Sequence, residues 1–253
     1  MKQFRKYFKV VFLIAVVGII AFLIYRFLIV ERLVSVAEYD EIKTFAFNSV
    51  DELDQWDEKK LSRHETEYSL SDQDSIKCVK AVSENSASAL FYRQSLKCER
   101  RPFISWDWKI EEFPEGGSKE DLKNKESFDF AAQMYVVFYA RFLPKAKAIQ
   151  YVWTKEVPKD TVVKSPYTKN VKVVVLESGV SGEWRHEERD VSDDYMRFFE
   201  EPLKKDVMAI SFMTDSDSTD SRAVAYYKNV SMGYLGNKEG RNKVETEVKL
   251  SNI

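Results

Sequence analysis

The run TDSDSTD, Thr214 to Asp220, sets Asp215, Asp217 and Asp220 two and three residues apart, just ahead of the aromatic stretch AVAYYKNV. Carboxylates at that spacing suit calcium, a hard cation that takes several oxygen ligands from a short, turning segment. The EF-hand pattern is absent, with no glycine at its sixth position and no glutamate at its twelfth. A polar turn explains the same residues, because Asp and Ser side chains hydrogen-bond their own backbone. The turn is the expected reading, with a calcium site or direct ligand contacts as its alternatives.

Carboxylate catalysis on a glycan needs two acids about 5–10 Å apart. Asp107, Asp129, Asp215 and Asp217 are the candidates, and sequence does not say which of them meet. Other chemistry is poorly supported. Ser165 has no G-x-S-x-G context, so a hydrolase triad lacks its nucleophile elbow. No HExxH occurs. The two histidines are His64 and His186, and His186 lies in the charged stretch EWRHEERDV, where a solvated side chain is expected.

Aromatic residues offer a second kind of chemistry, a flat surface for the apolar face of a sugar ring. In ISWDWKI, Trp106 and Trp108 share a strand face with Ile104 and Ile110, which places them in a core. Tyr151 and Trp153 share a face with Ile149 in the same way. Tyr226 and Tyr227 are adjacent and must point to opposite faces, so one of them is expected to look outward or into a groove. Tyr167, in the loop SPYT, follows a proline that fixes the local backbone. Tyr167, Asp129, Tyr226, Tyr227, Asp215 and Asp217 are therefore the candidate ligand contacts.

The elements that must position these residues are short β-rich runs punctuated by turns. They cover 44–50, 76–83, 88–96, 104–111, 128–140, 148–154, 171–178, 183–191, 207–214 and 223–234. The run FDFAAQMYVVFYA reads as a central strand buried on both faces. About ten strands so spaced predict an all-β sandwich, of jelly-roll or concanavalin-like type. One short helix is expected in VSDDYMRFFEEP, with Ser192 as N-cap, acids in its first turn and a stop before Pro202.

Ahead of this lies a basic segment, residues 1–9, with Lys2, Arg5, Lys6 and Lys9. An apolar run follows from Val10 to Val30, interrupted by Arg26. A bilayer core of about 30 Å needs about 20 such residues, so a membrane anchor with an inside N-terminus is expected. The competing reading is a signal peptide cleaved after Ala37, at Ser35-Val36-Ala37. Residues 31–43 read as a linker, 44–235 as the domain and 236–253 as a polar, disordered tail. Either reading exports the domain, which implies the periplasm, with the anchor in a bacterial inner membrane.

In that oxidising setting Cys78 and Cys98 could bridge. If IKCVKAVS pairs with SALFYRQSL, however, Cys78 sits opposite about position 93, and Cα atoms beyond about 7 Å cannot be joined. Free thiols are the alternative. The 39 basic and 41 acidic residues leave a net charge of −2, with no basic stripe after the first ten residues, so a nucleic-acid partner is not expected.

The ordered set ISWDWKI, FDFAAQMYVVF, YVWT, KSPYT, VVVLESG, RDVSDDY, MTDSDST and AYYKNV, over Phe45–Tyr234, resembles a bacterial family known as domain of unknown function 3047. The resemblance implies an exported β-sandwich and supplies no activity or catalytic residues. Where the family pattern has paired aspartates before FA, this chain has Ser127-Phe128-Asp129-Phe130. Together these features predict a non-catalytic binding module for an envelope ligand such as a glycan. The alternatives are a glycan-active hydrolase or lyase, and an envelope assembly protein that binds another protein.

Overall fold

A computed structural model describes residues 39–236, apart from 74, 117–121 and 181. The anchor at 10–30, the basic segment 1–9, the cleavage site after Ala37 and the tail from 237 lie outside the described residues. Among the described residues no helix is long and apolar enough to cross a membrane.

The first seven strands are β1 (Tyr39–Phe45), β2 (Asp57–Lys60), β3 (Glu67–Gln73), β4 (Ile76–Glu84), β5 (Ala87–Leu96), β6 (Pro102–Glu112) and β7 (Ala132–Phe138). Then come β8 (Ala148–Thr154), β9 (Val162–Lys164), β10 (Val171–Ser178), β11 (Arg185–Asp190), β12 (Val207–Asp215) and β13 (Arg222–Leu235). They form two sheets. One has the order β11-β6-β13-β4-β3, with β1 also paired to β13; the other runs β2-β5-β12-β7-β8-β10-β9. The fold is an all-β sandwich.

Alternation fills the space between the sheets. Trp106 and Trp108 of the six-stranded sheet meet Tyr151 and Trp153 of the other, with ring centroids 5.5 Å apart for Trp106–Tyr151 and 6.0 Å for Trp108–Trp153. All four are buried, as their shared strand faces predict. Tyr227 crosses the same layer. Its ring lies 4.6 Å from that of Phe212, and its hydroxyl donates to the Met213 carbonyl at 2.6 Å.

Helix α1 (Val50–Leu53) is a single turn, and α2 (Val191–Phe199) is the one helix of greater length among the described residues. The N-cap of α2 is Asp190, not Ser192: its carboxylate accepts from Ser192 N at 3.0 Å and Asp193 N at 3.1 Å. An ionised cap two residues earlier satisfies two orphan N–H groups and favours the positive end of the helix dipole. Asp194, 5% exposed, then ties the helix to the sandwich by accepting from Tyr151 Oη at 2.6 Å and Arg189 Nε at 2.7 Å.

Several expectations are corrected here. β4 and β5 do not form a hairpin, because they belong to different sheets. Each carries an apolar inward face, and the chain passes between sheets at Glu84–Ala87. Buried hydroxyls hold that corner, with Ser83 Oγ donating to Ser86 O at 2.8 Å and lying 2.7 Å from Ser216 Oγ. Cys78 and Cys98 are consequently free, one buried in β4 and the other beyond β5. The domain's first strand starts at Tyr39, inside the stretch read as linker. The strand expected over 128–140 is limited to Ala132–Phe138, which leaves Phe128–Ala131 as the loop that delivers Asp129.

Among the described residues, Gly233 is the one glycine whose missing Cβ the packing requires. A Cβ there would stand 2.2 Å from the Asp40 carbonyl oxygen of β1. Gly233→Ala should therefore push β1 off β13 and lower stability by about 1–3 kcal/mol in urea unfolding. Unchanged stability would mean that β1 contributes nothing to the fold.

Candidate functional site

The seven-stranded sheet packs its inward residues on the core, and its outward residues form the site. On β12 Ile210 and Phe212 point in, so Ala209, Ser211, Met213 and Asp215 point out. Cross-strand register carries the outward set across the sheet. Ser211 pairs with Phe91 of β5 and Tyr135 of β7, and Tyr135 pairs with Gln150 of β8. The small residues Ala89, Ala209 and Ser211 lower the floor between larger neighbours.

The result is a trough along β12. Its middle section, about 520 Å³, has Phe91, Tyr135, Val137 and Met213 among its lining residues. A second section of about 370 Å³ adds Gln150, Tyr167, Asp215 and Asp217, and shares Leu61, Tyr135 and Met213 with the first. The loop that brings Phe128 and Phe130 caps the rest of this face, in a small apolar cluster with Val152, Val173 and Val175.

Beneath the second section runs a polar network. Gln133 Oε1 accepts from Tyr135 Oη at 3.0 Å and from Gln150 Nε2 at 2.7 Å. Gln133 Nε2 donates to Asp215 Oδ1 at 2.7 Å, and Phe130 N donates to the same oxygen at 2.7 Å. Gln133 is thus spent on its neighbours; it sets the orientation of Tyr135, Gln150 and Asp215. Burial and the nearby Asp215 and Tyr227 push the Tyr135 hydroxyl well above its usual range, so it stays a donor.

Asp129 answers the question posed by TDSDSTD. Fully buried, it accepts from Ser218 N at 3.2 Å, Thr219 N at 2.7 Å and Thr219 Oγ1 at 2.6 Å. The run is a turn whose N–H groups cradle a carboxyl supplied by another loop. Its three aspartates part company. Asp220 turns away, in the left-handed region at φ 49°, to accept from Asn85 Nδ2. Asp215 and Asp217 join Asp129, and one oxygen from each of the three lies within 4.8 Å of the others.

Three carboxyls so close cannot all hold their charge easily. Burial and then Asp129 push Asp215 well above its ordinary 3.8, and the same two causes raise Asp217. Any cation would use Asp129, Asp215 and Asp217, not the set Asp215, Asp217 and Asp220. A second such group, Cys98, Glu99 and Asp206, already has Lys97 Nζ 2.8 Å from Asp206 Oδ2.

Of the residues expected to touch a ligand, Tyr167, Asp215 and Asp217 line the trough, and Asp129 supports it from below. Tyr226 and Tyr227 do not take part. Tyr227 is inside the sandwich, and Tyr226 lies on the outer side of the other sheet, 2% exposed, under Lys80 and bonded to Glu111. Sequence reading missed Tyr135, Gln133 and Gln150. Their signal was the alternation in AAQMYVVF and AIQYVWT, which sets them on the face opposite Met134, Val136, Ile149 and Tyr151.

Because Asp215 holds its proton more tightly folded than unfolded, the folded state binds more protons above pH 3.8 and loses stability as pH rises toward the raised value. Asp215→Asn should flatten that decline, as read by urea unfolding between pH 3.5 and neutrality. Parallel profiles for the two proteins would mean that the carboxyl is not perturbed.

The model of the family described as protein of unknown function (DUF3047) matches residues 54–231, well over half the chain, and the chain belongs to that family. No curated protein matches it. Among solved structures it is similar to the family 11 carbohydrate-binding module from Clostridium thermocellum, in complex with a β-1,3-1,4-mixed-linked tetrasaccharide. That match has 12% identity, covers 79% of this chain and 100% of that one, and has a TM-score of 0.40. It is also similar to the xyloglucanase domain of NopAA, a type three effector from Sinorhizobium fredii, with 10% identity, 71% and 92% coverage and a TM-score of 0.42. The K3 adhesin domain of Lys-gingipain from Porphyromonas gingivalis gives 13% identity, 77% and 99% coverage and a TM-score of 0.38.

Proposed function

We propose that this member of the DUF3047 family is a non-catalytic glycan-binding module, which holds an extended saccharide in the trough on the outer face of its seven-stranded sheet. One observation carries the reading. The open face of a sheet, where solvated polar residues are the norm, instead combines an apolar floor with oriented amide, phenol and carboxyl groups. A sugar ring presents the matching pair of surfaces, an apolar face and a rim of hydroxyls. Tyr167, 57% exposed, suits a stacking platform at one end. The jelly-roll form of the sandwich is part of the same proposal.

The setting is proposed with it. Lys2, Arg5, Lys6 and Lys9 ahead of the apolar run 10–30 support a retained inner-membrane anchor with the domain in the periplasm. No cation is required: Asp129 is occupied by three donors from the turn, and Asp215 by two.

A glycan-active hydrolase or lyase is the second reading, favoured by the proton-retaining Asp215 beside Asp217. Glycosidase acids flank the scissile bond, about 5–5.5 Å apart in retaining enzymes and 6.5–9.5 Å in inverting ones. Here Asp129 and Asp215 are committed to donors of the protein itself, three for Asp129 and two for Asp215, which supports binding over turnover.

The full-length protein should retain oligosaccharides in affinity electrophoresis, and Tyr135→Ala and Tyr167→Ala should each weaken retention about tenfold or more. Release of shorter products, abolished by Asp215→Asn, would overturn the binding reading in favour of catalysis. Melting temperatures in calcium and in chelator should coincide. A calcium-dependent rise on the order of 5 °C, lost in Asp217→Ala, would instead make the acid group a metal site.

A further inference from the structure

The trough does not end at the acids. Its middle section meets a third, of about 490 Å³, at Met208; this third section is lined by Tyr139, Lys204 and Lys205 among others. The register of β12 shifts against both neighbours between Val207 and Ala209. Such a bulge re-aims a side chain, and it turns Met208 toward the same face as Ala209. From Asp215 to Val207, β12 is nine residues long; at about 3.3 Å per residue the trough runs roughly 25 Å. Its walls carry three large exposed apolar side chains, Tyr167 at 57%, Leu61 at 50% and Tyr139 at 56%. Tyr167 is held in place by an edge-on contact with Phe128, ring centroids 5.7 Å apart.

Charge divides along that length. Asp215 and Asp217 sit at one end, where the cation is Lys125, its Nζ 5.1 Å from the centre of the Tyr167 ring. The middle and far sections carry Lys59, Arg93, Lys204 and Lys205. The acids near these cations are answered from elsewhere or shared. Asp206 is held by Lys97 Nζ at 2.8 Å and by Cys98 N at 3.1 Å. Glu201, which feels Lys204, is bonded to Lys147 at 2.7 Å. Arg93 pairs with Asp57 at 3.4 Å while its guanidinium lies over Phe91 at 5.0 Å. Among the described residues Lys204 and Lys205 form no ion pair.

We infer that the trough selects an acidic polysaccharide, whose carboxylate-bearing units lie over Lys59, Lys204 and Lys205 while its uncharged hydroxyls face Asp215 and Asp217. The inference rests on the glycan-binding reading and adds the charge class of the chain. At the acid end a bound carboxylate has Lys125, beside Tyr167, as its nearby cation; shifted along β12, it meets Lys59, Lys204 and Lys205. Exposed charges of this kind act weakly one by one and are screened by salt. The preference must therefore come from several units of one chain acting together.

The test uses the full-length protein in mild detergent and three hexamers of matched length: hexagalacturonate, cellohexaose and the hexamer of glucosamine. Isothermal titration should give hexagalacturonate about tenfold tighter binding than cellohexaose, with the glucosamine hexamer weakest. The advantage should shrink as sodium chloride rises from about 50 to 500 mM, several-fold past the screening threshold. It should vanish in the double variant Lys204→Glu, Lys205→Glu, whose exposed positions leave folding intact. Equal affinity for the acidic and neutral hexamers, with binding still lost in Tyr135→Ala, would overturn the acidic preference and keep the binding module. An acidic preference that survives the double charge reversal would also overturn the assignment to this end of the trough. No binding of any hexamer would sink this inference and the glycan-binding reading together.

Discussion

The two-residue alternation of β12 is the constraint on which the rest depends. Ile210 and Phe212 must reach the core, where the Phe212 ring lies tilted against Tyr227 and Trp56. Everything between them is then committed to the outer face. A slip of one residue would turn Ser211 and Asp215 into the core and Phe212 onto the outer face. The core interaction therefore aims the trough floor, and Tyr227 reinforces that register by bonding the Met213 carbonyl from the opposite sheet.

A second layer of control is electrostatic. The N–H groups of the turn after β12 need an acceptor, and Asp129 fills that need from a loop 86 positions earlier than Asp215 in the chain. Burial first, and this neighbour second, push Asp215 toward the protonated form. One buried carboxyl thus fixes the capping loop and adds to the effect of burial on the residue at the trough's end. Gln133 links this pair to Tyr135 and Gln150, so the polar floor behaves as one hydrogen-bonded unit.

Alternation was legible wherever one strand face is wholly apolar, which is why ISWDWKI and AIQYVWT reveal their core residues directly. It was misleading in FDFAAQMYVVFYA. There the outward residues Tyr135 and Val137 are themselves large and apolar because they floor a trough, and the strand reads as buried on both sides. The edge strands β2 and β3 escaped notice for the opposite reason: β2 is DEKK, exposed at every position. The false hairpin between β4 and β5 came from a short polar turn that closes a corner between sheets as readily as it closes a ladder.

By itself the sequence determined the class of fold, the identity of the central aromatic core and the family, because these follow from local period and from the order of short motifs. It also placed Asp215, Asp217 and Tyr167 among the residues worth watching. Only the tertiary structure decided that Asp129 joins the first two while Asp220 leaves, that Tyr226 and Tyr227 stand apart, and that Cys78 and Cys98 stay unbridged. Those outcomes depend on which strands become neighbours across the sandwich. Strand partnership joins segments distant in the chain, and no spacing within any one of them encodes it.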